Sequence, residues 1–512
     1  MTTAAPTAAA MRPRAARDRR RQHRAVLVGV ALVSIGYLAI TGFASATLAW
    51  TGTVDSYEHL DYVWQVLHGH LPGPLGHEWT PGAYASEGND GRQLASAHPP
   101  VYYAVMAVLA GPLLESSHWH VAVAIIRGAN TLFGLGGLLA AAWVGWMVGR
   151  RHRVHLAIAL PALAGAPFAY LRYSSDVYND TLVAALSMAA LAIAVRLVVA
   201  GPSWRFTVLL AVVAALALGT KATAVLTVGV VAVALVAACI VHADRRSPFL
   251  TARAAVMRLL VLGGVPAAAF GWFYVRNAGL SGAWYRSTEV SQVSGRTRRG
   301  LVDVLTDPDY YLIIPRGLIG HGTAAFGDIA DAASLAVFAV GAGLTVAAVV
   351  ARRKRVPELG AAQFLLIIMF AGHLLGSYLL QLSHSVGYGA YNWRYFLPSS
   401  LSVALLLGTG ASLFGRRVAA VVVPVVVAVM WAGSSISFVL YAQERGHKVA
   451  PTGRGFLHDA GAAAFANGLP GWLPTLLLVL AAASIAGVGA VLWRYAVAPH
   501  PAAVPVRASV VS

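Results

Sequence analysis

Apolar residues run along this chain in long uninterrupted blocks separated by short polar stretches. Several blocks reach about 20 residues, enough to cross a ~30 Å hydrocarbon layer as a helix. The pattern predicts helical spans near 26–48, 119–149, 154–171, 181–200, 206–220 and 222–242, then near 257–276, 333–351, 359–382, 396–415, 418–440 and 471–493. That makes about twelve spans. One more apolar stretch, 101–114, follows two prolines. Counting it as a span would invert everything after it and put Arg150, Arg151 and Arg153 outside, so it reads as a juxtamembrane or re-entrant helix. No internal repeat, heptad pattern or separate soluble domain is visible. The predicted fold class is all-α: a polytopic transmembrane bundle with outer juxtamembrane helices in its first loop.

Composition agrees and removes other classes. Of 512 residues, 58% are hydrophobic and 11% charged, against roughly 25% charged in a soluble domain. The net charge of +18 does not point to nucleic acid, because the basic residues sit in short clusters between apolar runs, the pattern of cytoplasmic loops. This places the N-terminus, Arg150 to Arg153, Arg245 with Arg246, Arg352 to Arg355, Arg416 with Arg417, and Arg494 in the cytoplasm of a multi-pass cell-membrane protein. The expected organisation is a basic cytoplasmic tail at 1–25, a membrane domain at 26–495 and a cytoplasmic tail at 496–512. The first outer loop covers 50–118 and a large outer loop covers 277–332. Ala44-Ser45-Ala46 is compatible with signal cleavage, but the apolar stretch before it is long for a signal core and reads as an uncleaved anchor. The single cysteine, Cys239, excludes an intramolecular disulfide.

With that topology, the polar residues that could do chemistry collect on the outer face. In Thr53-Val54-Asp55-Ser56-Tyr57-Glu58-His59, helical geometry puts Asp55 and His59 one turn apart on one side. A carboxylate beside an imidazole suits proton abstraction or metal ligation; the plainer alternative is a solvated surface helix. His98, in His98-Pro99-Pro100, starts the return to the membrane. Arg172 and Asp176 lie at the outer end of the third span, and Asp180 opens the fourth, where a helix-capping role competes with a functional one. Lys221 interrupts nearly continuous apolar sequence, an expensive place for a charge. Arg276, and Arg394 with Tyr395, occupy matching outer ends that positive-inside logic does not explain. Cations at headgroup level beside carboxylates suit a ligand with a phosphate and an apolar tail. Pairing of those cations with Asp176, Asp180 or lipid headgroups is the competing account. Asp55, Glu58, His59, Asp176 and Asp180 offer ligands for a divalent cation but no diagnostic spacing.

In order and sidedness these residues resemble the GT-C superfamily of polyprenyl-phosphate-sugar-dependent membrane glycosyltransferases, in particular the branch with protein O-mannosyltransferases and the lipid A aminoarabinose transferase. The resemblance covers about 26–415 and rests on Asp55, His98-Pro99-Pro100, Arg127 with Asn130, Asn179-Asp180, Thr220-Lys221, Trp272 with Arg276-Asn277, and Arg394-Tyr395. It implies a hexosyl- or pentosyltransferase of the cell envelope working on the outer face. The donor would be a polyprenyl-phosphate-linked sugar, the acceptor a hydroxyl of a glycan, lipid or protein, and the transfer inverting. Asp55 would be the general base. Asp180 and His59 would orient the acceptor or a divalent ion, while Glu58, His98, Arg172, Asp176, Lys221, Arg276, Arg394 and Tyr395 would contact substrate. The chain departs from the family at Ser56, where Glu is common, and at His98, where Lys is common. A neutral histidine anchors phosphate poorly, so Lys221, Arg276 and Arg394 carry more weight. A transporter or lipid flippase is the alternative, although the charges gather on one face instead of at mid-bilayer.

Overall fold

Each expected apolar run folds as helix. The structure, a computed structural model, describes residues 8–50, 54–73, 76–79, 93–149, 152–243, 247–282, 284, 297–320, 324–351, 361–442 and 454–498, with no β-strand among them. Arg150, Arg151, Arg245, Arg246, Arg352 to Arg355, most of the 496–512 tail and parts of the 50–118 and 277–332 loops lie outside the described residues. The helices are α1 (Ala8–Thr47), α2 (Val54–Leu67), α3 (Val101–Leu114), α4 (Trp119–Val148), α5 (Arg153–Ala164), α6 (Phe168–Ser174), α7 (Asp180–Ala200), α8 (Trp204–Leu218) and α9 (Ala224–Val241). They continue with α10 (Pro248–Ser281), α11 (Leu301–Leu305), α12 (Pro308–Arg316), α13 (Ala324–Ala351), α14 (Ala361–Tyr388), α15 (Ser400–Phe414), α16 (Arg416–Tyr441), α17 (Phe456–Ala466) and α18 (Leu473–Val497).

The expected count of about twelve spans is where the structure differs. Among the described residues, 10 helices are long and apolar enough to cross a membrane, and α5 with α6 makes an eleventh candidate bent by 68°. The bend falls at Gly165-Ala166-Pro167, where proline lacks an N–H and disfavours helix in the residue before it. The remaining helix, α8, has only 15 residues. Gly201 at φ 90° ends α7, Ser203 caps α8 by accepting from the Phe206 N–H, and Gly219 closes it. α3, read as juxtamembrane, is likewise a short apolar helix. The 277–332 loop is partly helical: α10 runs through to Ser281, and α11 and α12 follow.

The main core joins α1, α4, α5, α7, α15, α16 and α18 through Ile40, Leu138, Leu160, Leu191, Leu401, Val427 and Val488, all nearly inaccessible. Small residues let backbones approach, as in many membrane bundles. A Cβ at Gly145 would sit 2.3 Å from the Leu156 carbonyl oxygen, so α4 and α5 meet there only because position 145 is glycine.

A second core lies under the first loop. Tyr57, Leu60 and Tyr62 of α2 pack on Tyr102, Tyr103 and Met106 of α3 and on Ile126 of α4, with the Tyr62 and Tyr103 rings stacked at 3.7 Å. Asp61 pins the loop. Its Oδ1 accepts from the Glu78 and Trp79 backbone N–H groups, each at 2.8 Å, and its Oδ2 accepts from the Gln65 amide at 2.8 Å and from the Gln93 amide. The loop is thereby a fixed lid on one end of the bundle, and it carries Asp55 with it.

Candidate functional site

Two ion pairs meet at that end. The Arg394 guanidinium, in a 3-10 turn Trp393–Ser399 leading into α15, donates through Nη1 to Asp55 Oδ2 at 2.8 Å. Lys221, in the turn between α8 and α9, donates to Asp180 Oδ1 at 2.6 Å. Both carboxylates lie in the first turn of a helix, α2 and α7, where the helix dipole favours negative charge. The Asp180–Lys221 contact also shows that α7 leaves this end of the bundle and α8 returns to it.

The pairs differ in access. Asp180 and Lys221 are almost fully buried, whereas the Asp55 side chain is 38% exposed and Arg394 18%. Asp180 Oδ2 and Arg394 Nε are buried without a hydrogen-bond partner, so each pair keeps a polar atom unspent. The Tyr395 ring lies beside both cations, 5.6 Å from the Arg394 guanidinium and 5.7 Å from Lys221 Nζ.

Burial and charge set the protonation states. Burial pushes the Asp55 carboxyl up, but the Arg394 guanidinium and Lys221 outweigh it and leave the group below the usual carboxylate range. Asp55 is therefore a carboxylate at neutral pH. Burial lowers Lys221 to about 8 against the pull of Asp180, which leaves it charged at pH 7 and titrating just above.

His59 and His98 form the inner wall. Their rings lie parallel with centroids 6.0 Å apart, and His59 Nδ1 is 2.8 Å from the Tyr103 hydroxyl. Burial lowers His59 to about 4 and lowers His98 well below the ordinary histidine value, with Lys221 adding to the effect on His98. Both imidazoles are neutral at pH 7. His59 lies within electrostatic reach of Asp55, Lys221, Asp180 and Arg394, so all five belong to one site.

The other candidates are placed differently. Asp176 is inaccessible beneath α2, where its carboxylate accepts from the Ser56 hydroxyl at 3.1 Å and the Arg127 guanidinium at 3.4 Å. Asn130 donates to the Asp176 and Tyr178 carbonyls. This knot ties α2, α4 and the α6–α7 turn together. Arg172 donates to the Tyr441 hydroxyl at 3.0 Å and lies over that ring. Arg276 donates to the Leu71 and Pro72 carbonyls, at 3.3 and 3.0 Å, while neighbouring Asn277 donates to the Ala97 carbonyl. Together they clamp both limbs of the first loop to the end of α10. Glu58 is buried, and its carbonyl accepts from the Gln93 amide.

Sequence reasoning passed over Asp61, Gln93 and Tyr103, which hold the site without resembling a motif. Among the described residues no group of three or more His, Cys, Asp or Glu side chains has metal-binding geometry.

No protein-family model matches the chain, and no curated protein does. Among solved structures it is similar to ArnT from Cupriavidus metallidurans bound to undecaprenyl phosphate, at 14% identity and TM-score 0.46, covering 91% of this chain and 75% of that one. It is also similar to the Archaeoglobus fulgidus oligosaccharyltransferase in complex with zinc and sulfate, at 12% identity and TM-score 0.46, over 80% of this chain and 53% of that one. The archaeal oligosaccharyltransferase AglB from Archaeoglobus fulgidus, in complex with an inhibitory peptide and a dolichol-phosphate, matches at 12% identity and TM-score 0.42, over 91% and 56%. Likeness this remote does not assign an activity. The functional reading therefore rests on the two ion pairs.

Proposed function

We propose that this protein is a membrane glycosyltransferase of the GT-C type, transferring a sugar from a polyprenyl-phosphate-linked donor to an acceptor hydroxyl on the outer face of the membrane. The carrying observation is the Asp55–Arg394 pair: an ionised, partly accessible carboxylate at one end of the bundle, 2.8 Å from a cation with a further unspent N–H. Asp55 takes the acceptor proton as the acceptor oxygen bonds to the anomeric carbon. The bond from that carbon to the phosphate oxygen breaks, and the polyprenyl phosphate leaves with the electron pair. Attack opposite the leaving group inverts the configuration. Arg394 and Lys221 stabilise the charge growing on the phosphate. Neutral His59 and His98 shape the wall, and Asp180 holds Lys221 in place.

Arg276 and Arg172 support the loop and the α6 end in this scheme, since their hydrogen bonds go to carbonyls and a tyrosine hydroxyl. Positive-inside logic puts the N-terminus in the cytoplasm and the paired charges on the outer face. The test is transfer of a radiolabelled sugar from a polyprenyl-phosphate donor by purified protein. Undiminished transfer in Asp55→Asn removes the base, while lipid flipping in vesicles without any transfer would replace the enzyme with a flippase. A chelator titration of the same assay decides on a divalent ion.

A further inference from the structure

Three elements carry the inner charges of the site: α7 with Asp180, the turn into α9 with Lys221, and the turn into α15 with Arg394. Each also carries a buried hydroxyl seven, six and eight residues further on: Ser187, Thr227 and Ser402. That places each hydroxyl on the order of 10 Å deeper into the bundle than the charge. Thr227 and Ser402 meet on one side chain, His373 of α14, which is fully inaccessible, and Ser187 joins them through Thr227. Thr227 Oγ1 is 3.2 Å from Ser187 Oγ and 3.0 Å from His373 Nε2, and His373 Nδ1 is 3.1 Å from Ser402 Oγ. One arrangement gives each of the three contacts a donor and an acceptor. Ser402 donates to Nδ1, Nε2–H donates to Thr227, and Thr227 donates to Ser187.

α14 extends the same contact toward the site. Ser377 is hydrogen-bonded to Ser399, while the Gln381 amide and the Ser385 hydroxyl both reach the Ala390 carbonyl, at 3.3 and 3.1 Å. His373, Ser377, Gln381 and Ser385 recur every four residues, so they form one stripe on the helix. The stripe grips residues 390–402 on both sides of Arg394. Polar groups at this depth are costly in lipid unless they find partners, and these four find them on elements that carry the site.

We infer that His373 is a positioning residue: with Ser187, Thr227 and Ser402 it forms a hydrogen-bonded brace inside the membrane that sets the spacing of Asp180, Lys221 and Arg394. This rests on the reading of those residues as a phosphate-handling site. The brace acts at a distance from the chemistry, and its effect comes from the sensitivity of a paired-cation site to displacements of about 1 Å.

The test uses purified full-length protein in nanodiscs with undecaprenyl phosphate as probe, together with backbone hydrogen exchange over residues 390–402. His373→Leu weakens undecaprenyl phosphate binding about tenfold or more and speeds exchange in that segment. His373→Gln, which keeps one donor and one acceptor but cannot titrate, stays within about threefold of the parent. Thr227→Val and Ser402→Ala each remove one strut and give the same changes at smaller size; they decide the matter if His373→Leu does not fold. Equal losses in His373→Gln and His373→Leu would overturn the brace in favour of a protonation role. Parent-like binding and exchange in Thr227→Val, Ser402→Ala and any folded His373→Leu would overturn it outright. If the parent itself does not bind undecaprenyl phosphate, the proposed function falls, while the exchange measurement still decides the brace.

Discussion

The two aspartates of α2 are six residues apart and live in opposite circumstances. Asp61 is inaccessible and accepts from four donors, two of them backbone N–H groups. Asp55 is 38% exposed and its described hydrogen bond is to Arg394. A carboxylate with every lone pair engaged fixes a loop, while one held by a single cation can take a proton. In the proposed scheme, that difference separates the group that builds the site from the group that works in it.

The sharpest way to break this comparison is Asp55→Asn, which keeps the shape and removes the base. Sugar transfer falls about 10²- to 10⁴-fold, with the unfolding temperature in detergent unchanged; an equal fall in stability would make Asp55 a structural residue like Asp61. Arg394→Ala removes the leaving-group cation and releases Asp55, and kcat falls about 10²- to 10³-fold. Asp61→Ala inverts the pattern. It strands the Glu78 and Trp79 N–H groups and two amides, costs on the order of 3 kcal/mol, and shows first as proteolytic cleavage in the first loop.

A smaller effect separates the two cations by pH. Lys221, lowered to about 8, is charged below that value and neutral above it, so donor kcat/KM holds to pH 8 and then falls about tenfold per unit. Lys221→Arg moves this alkaline limb to higher pH, and a limb that stays put assigns it to another group. Asp55, held below the ordinary carboxylate range, stays ionised at pH 5 and gives no acid limb there. Arg276→Ala has the smallest effect, tenfold or less, because it frees loop carbonyls and not substrate.

How much of this was legible in the sequence follows from the range of the interactions. Apolar runs of helical length are local, and every one of them forms a helix. The Asp55–His59 face is local too and stands as read. Whether Asp55 or Asp61 is the available carboxylate depends on donors that arrive from residues 78, 79 and 93, which no spacing within α2 reveals. The Asp180–Lys221 and Asp55–Arg394 pairs join positions 41 and 339 residues apart, so they appear only once the bundle closes. Arg276 shows the range most clearly: its charge and outer position are visible in the sequence, while its hydrogen bonds to the Leu71 and Pro72 carbonyls, over two hundred residues away, are not. The stripe on α14 is visible as a four-residue period, but its partners are not.

The shortness of α8 has a consequence for the lipid around the protein. Trp204, Val208, Leu209, Val212 and Leu216 are exposed on its outer surface, a face suited to acyl chains. Fifteen residues cover roughly 22 Å, some 8 Å less than an average hydrocarbon layer. Where a bilayer thins to match such a helix, it dips toward the end at which α8 delivers Lys221. Such a dent would lower the water boundary beside the paired charges and give an amphiphile's polar head a shorter climb out of the hydrocarbon than on a flank walled by full-length helices.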